Sequence, residues 1–337
     1  MHWLIPLLGF LGSLLLTGLM HRYALRRGLM DIPNARSSHL VPTPRGGGLA
    51  FVSSLMLAVL GSYLMGGWAS LGGRELALAL WGGGLLIALL GFWDDHGHIP
   101  ARWRLTGHLL VAGGALVLLG VPGSLGLPEW LAYPLFLIGI VWLLNLFNFM
   151  DGIDGIAGSE ALSVTGGSML LIGWLGMDSV LSDWLGVAAA ATAGFLLWNW
   201  PPAKIFMGDV GSGFLGYLLA IFALQSANIG LLPIWSWLIL LGVFIVDATL
   251  TLARRFLAGE AWYSAHRSHA YQILSRRWRS HRRATLGVLV INLVWLLPLA
   301  ALAAARPALG VVLTLLAYLP LILLGLKIGA GRPESNG

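Results

Sequence analysis

Apolar windows separated by short polar stretches run along the whole chain. Eleven stand out, near residues 3–20, 46–66, 75–92, 105–121, 131–147, 161–176, 184–199, 211–228, 231–252, 284–304 and 308–326. As helices they are long enough to cross a hydrocarbon layer of roughly 30 Å. The pattern predicts an all-α fold, a polytopic transmembrane helical bundle of about eleven spans, with ten as the alternative count. Residues 1–337 then form a single integral membrane domain. The first window starts almost at once, has no basic residue before it and lacks a small-residue cleavage site. It reads as a retained anchor and not as a signal peptide.

Composition agrees: 58% of the 337 residues are hydrophobic and only 10% charged, against roughly 25% charged in soluble domains. Mean hydropathy is +0.83. The absence of cysteine removes disulfides, thiolate metal ligands and a cysteine nucleophile. A net charge of +6 is not read as a nucleic-acid footprint, because in a membrane chain the placement of the positive residues matters more than their sum. With the amino terminus outside, 18 of the 20 Lys and Arg residues fall on inner segments, leaving only Arg74 and Arg306 outside. The positive-inside rule therefore predicts this orientation, with the N-terminus outside and the C-terminus on the cytoplasmic side.

That partition also places the unusual polar residues on the inner face, in five segments. "GFWDDHGHIP" sets Asp94 beside Asp95 at the end of a span, and two adjacent carboxylates there call for a positive partner or a shared proton. "NLFNFMDGIDGIAG" places Asp151 and Asp154 three residues apart with Asn145 and Asn148 as neutral oxygen donors. Ionisable groups so near the apolar layer are costly and are usually paired or functional. In "WNWPPAKIFMGDVGSG" Lys204 offers a cation and Asp209 lies in a glycine turn entering the next span, where Asp209 or Ser212 could instead be a structural helix cap. "PNARSSHLVPTPRGGG" is a basic, proline-punctuated loop with Arg36, His39, Thr43 and Arg45. "SAHRSHAYQILSRR" carries His266, Arg267 and His269 in the most basic loop of the molecule. A zinc site at His-x-x-His lacks the carboxylate spacing of known zinc helices. Oxygen donors beside fixed cations at one membrane face suit Mg²⁺, which keeps several waters and is shared between one or two protein oxygens and substrate phosphates.

At these residues the chain resembles the polyprenyl-phosphate N-acetylhexosamine-1-phosphate transferases, in the branch that initiates O-antigen and related surface polysaccharides. TPRGGG, the DD pair, NLFNFMDGIDG, the N-x6-FMGDVGS block and the histidine loop occur in the family's order. The resemblance implies attack by undecaprenyl phosphate on the β-phosphorus of a UDP-N-acetylhexosamine, with UMP released. It implies Mg²⁺, or Mn²⁺ in its place, on Asp209 and Asn148, uridine contacts at Asn199 and Asp154, and Phe206 stacked on the uracil. Thr43, Arg45 and Lys204 join the nucleotide-sugar side. Asp94, Asp95, Asp151, Asp209, His266, Arg267 and His269 form the catalytic set. Asp94 and Asp95 are expected to position the lipid phosphate, since a phosphate monoester with a second pKa near 6 is already mostly ionised at neutral pH.

The peptidoglycan translocases carry a three-histidine run in the last inner loop. Here "AHRSHAYQ" interrupts it, which disfavours a MurNAc-pentapeptide donor and points to GlcNAc, GalNAc, FucNAc or QuiNAc. Partners on this reading are the UDP-sugar, undecaprenyl phosphate, membrane lipid and a candidate second copy of the chain, with no nucleic acid. A transporter or flippase of lipid-linked sugars is the rival, but such proteins place ionisable groups near the midplane and show repeats. Neither feature is visible in this sequence.

Overall fold

The computed structural model describes residues 4–33, 38–39, 41–66, 73–97, 99–260 and 266–332; Arg36 of the basic loop lies outside them. Helix follows helix: α1 (Leu4–Arg27), α2 (Gly47–Gly66), α3 (Arg74–Ala77) running through a π turn into α4 (Gly84–Gly97), α5 (Ala101–Leu119), α6 (Glu129–Met150), α7 (Ile156–Trp174) and α8 (Val180–Asn199). Next come α9 (Gly208–Asn228), α10 (Ile234–Leu240), α11 (Gly242–Leu257), a short α12 (Ala270–Arg277), α13 (His281–Ile291) continued through a second π turn into α14 (Leu297–Ala305), and α15 (Gly310–Ile328). The only strands among the described residues are a two-residue antiparallel pair, β1 (Met30–Asp31) with β2 (Thr43–Pro44).

The all-α, membrane-spanning expectation holds, with two corrections to the spans. Nine helices among the described residues are long and apolar enough to cross a membrane, ten if the pair α10 and α11 counts as one. The window at 105–121 does form a helix, α5, but α5 is not among the nine, and its first half carries Arg102, Arg104 and His108. The window at 231–252 is broken, with α10 and α11 meeting at 72°. A break inside an apolar layer must leave no backbone group unpaired. Here the Leu241 amide donates to Trp237 and the Tyr318 hydroxyl to the Leu238 carbonyl at 2.8 Å.

Helix α9 is the central column: 94% of its apolar window is buried, against 22% for α1. It packs on α2, α4 and α6, and each contact passes through a glycine. A Cβ on Gly48 would come within 2.5 Å of the Gly211 amide, one on Gly91 within 2.5 Å of the Asp209 carbonyl, and one on Gly216 within 2.5 Å of the Leu143 carbonyl. Lipid tails are as apolar as leucine, so close backbone approach at small residues is what favours these pairings. The Tyr217 hydroxyl, on the same column, donates to the Ala79 carbonyl at 2.8 Å and so meets a group in the first π turn. Successive long helices alternate in direction, which brings the ends of α4, α5, α6, α8 and α9 to one end of the bundle.

Gly216→Val should separate α9 from α6 and cost roughly 1–3 kcal/mol, as overpacking does. Gly82→Ala, whose Cβ meets nothing within 4 Å, should leave the detergent-solubilised melting midpoint unchanged. Equal midpoints for Gly216→Val and the parent chain would refute the packing argument.

Candidate active site

The start of α9 is built against α4. Met207 at the N-cap supplies no side-chain cap, and the first amides of a helix have no partner within it. Asp95 fills that role from another helix, its carboxylate accepting from the Asp209 amide at 3.2 Å and the Val210 amide at 3.3 Å. Arg45 in turn donates to the Asp95 carbonyl at 2.5 Å. The segment before α9 is stitched to the start of α2: the Phe206 amide donates to Pro44, and the Gly47 and Gly48 amides donate to Phe206 and Met207. TPRGGG and FMGD, distant in sequence, are thus one structural unit.

Asp94 faces the other way. Its carboxylate accepts from the Ile99 amide at 2.9 Å and from Arg104 of α5 at 2.5 Å. Arg104 is the positive partner that the adjacent carboxylates call for. The needed signal was helical phase: a cation ten residues on, one turn into the next helix.

The turn between α6 and α7 places its acids differently. Gly155 sits at φ 73°, a conformation glycine adopts without steric cost. Its amide donates to Asn199, whose Nδ2 donates to the Ile205 carbonyl at 2.9 Å. Asp154 accepts from the Ala203 amide at 3.0 Å and pairs with His281 at 3.1 Å. Asn199 and Asp154, expected at the nucleotide, hold the site's loops together, although both also line its cavity. Asn148 donates to the Asp209 carboxylate at 2.6 Å and to Ser212 at 3.4 Å.

These groups enclose a cavity of about 410 Å³. Among the described residues six aspartates line it (Asp31, Asp94, Asp95, Asp151, Asp154 and Asp209) and two arginines, Arg45 and Arg104. Asp151, half-buried in the wall, accepts no hydrogen bond among the described residues. Burial first, and then the charges of Asp209, Asp95 and Asp154, push its carboxyl well above the usual range. Phe206 lines the cavity edge-on to His39, ring centroids 4.9 Å apart. Gln272 of α12 completes it, together with Ser212, Gly152 and Asp31. Asp31 stands outside the five inner-face segments and Gln272 is an uncharged member of the fifth, and only packing brings them here.

Five predicted residues stand outside the cavity lining. Lys204 lies over the Trp198 ring, 5.3 Å from its centroid. Thr43 is buried in the strand pair and donates to Val41. His266, Arg267 and His269 do not line it either. His269 is buried and meets Asp247 at 3.5 Å, and its ring stacks on His266 at 4.9 Å. Burial, then the neighbouring His269 ring and the Arg255 guanidinium, hold the His266 imidazole down to about 3, so it is neutral at pH 7. Asp247 packs: it accepts from the Ala270 and Tyr271 amides and from Thr251, fixing the start of α12. The Tyr271 hydroxyl then donates to the Phe149 carbonyl at 2.9 Å, seating α12 on the acidic turn.

Residues 77–227 match the model for glycosyl transferase family 4. The chain is 33% identical over 300 residues to the probable undecaprenyl-phosphate N-acetylglucosaminyl 1-phosphate transferase of Bacillus subtilis, covering 86% of this chain and 81% of the relative. The chain belongs to glycosyl transferase family 4, the polyprenyl-phosphate N-acetylhexosamine-1-phosphate transferase superfamily. Other family 4 relatives are the decaprenyl-phosphate N-acetylglucosaminephosphotransferase of Mycolicibacterium smegmatis, 31% identical over 308 residues (80% of this chain, 74% of the relative), and the phospho-N-acetylmuramoyl-pentapeptide-transferase of Lacticaseibacillus paracasei, 31% identical over 237 residues (62% and 68%). The family 4 match spans α4 to α9 and holds every cavity aspartate except Asp31, whereas Arg45 and Gln272 come from beyond it.

The donor set fits a hard cation. Among the described residues no three His, Cys, Asp or Glu side chains gather closely enough to chelate an ion by themselves. Mg²⁺ needs only one or two protein oxygens, the remainder coming from water and substrate phosphates. Asp209 supplies one, and turning the Asn148 amide would present its Oδ1 as a second. The Asp151 carboxyl, without a hydrogen bond and held toward its neutral form by burial and its acidic neighbours, is a group that a bound cation would help to ionise.

Asp95→Ala should leave the Asp209 and Val210 amides unpaired and cost about 1–3 kcal/mol, with faster amide exchange at 208–212. Asp95→Asn, which keeps one acceptor oxygen, should lose less. If the alanine variant melts and exchanges like the parent chain, Asp95 is not the cap.

Proposed function

We propose that the protein transfers a HexNAc-1-phosphate from a UDP-N-acetylhexosamine to undecaprenyl phosphate, releasing UMP and opening a surface polysaccharide such as O-antigen. UDP-GlcNAc is the first donor to test, because two of the relatives carry N-acetylglucosamine in their names. The interrupted histidine loop argues against a MurNAc-pentapeptide donor. The observation that carries the reading is the meeting of Asn148, Asp151 and Asp209 in one cavity wall, where among the described residues six aspartates face two arginines; carboxyls gathered this way suit a diphosphate only when a cation joins them.

An oxygen of the lipid phosphate attacks the β-phosphorus of the donor. A new P–O bond forms there as the bond to the bridging oxygen breaks, and that oxygen leaves with UMP. Mg²⁺ held by Asp209 and Asn148 would supply charge neutralisation at the diphosphate. The chain's residues supply position, and well-oriented reactants can gain roughly 7–11 kcal/mol from it. Phe206 offers a ring face at one edge of the cavity, suited to the uracil. Asp94 and Asp95 are already engaged by Arg104 and by the start of α9, which disfavours either as the base. They act by holding the attacking and binding groups in place. His266, Arg267 and His269 act through α12, which they precede. The site then faces the cytoplasm, where UDP-sugars are made, with the N-terminus periplasmic and the C-terminus cytoplasmic in the bacterial inner membrane.

Membranes containing the protein, given undecaprenyl phosphate and a panel of UDP-HexNAc donors, should release UMP with Mg²⁺ and stop on chelation. Asp209→Asn should lower that rate by about two orders of magnitude or more, as loss of a principal charge-stabilising group does, while the protein stays folded in the membrane. Lipid-linked sugar crossing the bilayer with no UMP formed would replace this reading with a transporter.

A further inference from the structure

A second cavity, of about 360 Å³, opens on the far side of α12 from the aspartates. The two cavities share no lining residue. Its walls are apolar, from Val243 and Val246 of α11, Leu274 of α12, Val288 and Ile291 of α13 and Leu321 of α15. Leu324 and Trp278 line it and remain exposed, so the slot reaches the surface of the bundle. Two cations, Arg277 at the end of α12 and Lys327 at the end of α15, also line it. Both are exposed, and neither has a hydrogen-bond or ion-pair partner among the described residues. The one carboxylate present, Asp247, is already matched by two amides, Thr251 and His269.

We infer that this slot binds an anionic phospholipid of the bilayer, with an acyl chain among α11, α13 and α15 and the headgroup phosphate between Arg277 and Lys327. Charge complementarity selects the occupant. An apolar slot alone would accept any lipid tail, but two exposed cations without protein partners at the end of a membrane helix favour a negative headgroup, and the planar guanidinium suits phosphate oxygens. Trp278 has the amphipathic ring that settles at headgroup level. The polyprenyl-phosphate acceptor is the less apt occupant, because α12 and Tyr271 stand between this slot and the aspartates. A bound lipid would steady α12, whose other side gives Gln272 to the aspartate cavity.

The test is native mass spectrometry of the full chain released from detergent, titrated with phosphatidylglycerol or phosphatidylcholine. Phosphatidylglycerol should be retained about tenfold better, as expected from two basic side chains at an anionic headgroup. The double variant Arg277→Gln, Lys327→Gln should bring the two lipids to parity. Gly287→Leu fills the slot while leaving both cations in place; the nearest side-chain atom to a Cβ there is 3.8 Å away, on Trp278. It should also lose phosphatidylglycerol. Equal retention of both lipids by the parent chain, or undiminished phosphatidylglycerol binding by either variant, overturns the site. So does one-for-one displacement of phosphatidylglycerol by undecaprenyl phosphate, which would make the slot the acceptor's. The readout is binding, not UMP, so it can fail while the transferase reading stands.

Discussion

The start of α9 poses the constraint that shapes this end of the molecule. A helix buried along its whole length cannot give its first amides to water, and leaving them unpaired is costly. Asp95 resolves this from α4, and the solution fixes several things together. It sets α4 against α9, draws Arg45 and the start of α2 inward through the Asp95 carbonyl, and holds Asp209 at the cavity wall. The close glycine contacts at Gly48 and Gly91 follow from the same requirement, because the cap works only if the backbones nearly touch.

A second consequence is electrostatic. Helix N-termini attract anions and often bind phosphate, but here Asp95 takes that position. Arg104 is matched by Asp94, and Arg45 gives part of its guanidinium to a carbonyl. The chain has thus placed its own anions on the cations and dipoles that a phosphate-binding site would ordinarily present. What remains among the described residues is a wall of carboxyls around Asp151 and Asp209, an arrangement that a cation arriving with its substrate would complete.

Much of this was legible in the sequence. The apolar windows located the helices, α9 at 211–228 against Gly208–Asn228, because a predominantly apolar window long enough to cross the bilayer has few alternatives in a membrane. The carboxylates of NFMDGIDG and FMGD stood out because charge so near the apolar layer needs a reason. The break at Leu241 did not show, since Leu240, Leu241 and Gly242 are as apolar as a straight span requires, and the hydroxyl that meets the Leu238 carbonyl beside the bend comes from Tyr318, 80 residues on. Lys204 and Thr43 have the right chemistry for a nucleotide site, but an indole ring and a strand pair claim them. Residue type records what a side chain can do, while its partners, set by packing, decide what it does.

The histidine loop shows the same limit from the other direction. His266, Arg267 and His269 share a loop with the seat of α12, yet none lines the aspartate cavity. Asp247, from α11, gathers His269 and the first amides of α12, and Tyr271 passes that order on to Phe149 beside the acidic turn. A neutral His266 cannot offer the fixed positive charge that a bound phosphate would draw on. The loop therefore acts on the site by placing α12, and through α12 it places Gln272 and the Asp151–Asp154 turn. Substitutions in this loop would then change how firmly the turn is held before they change any contact with a substrate.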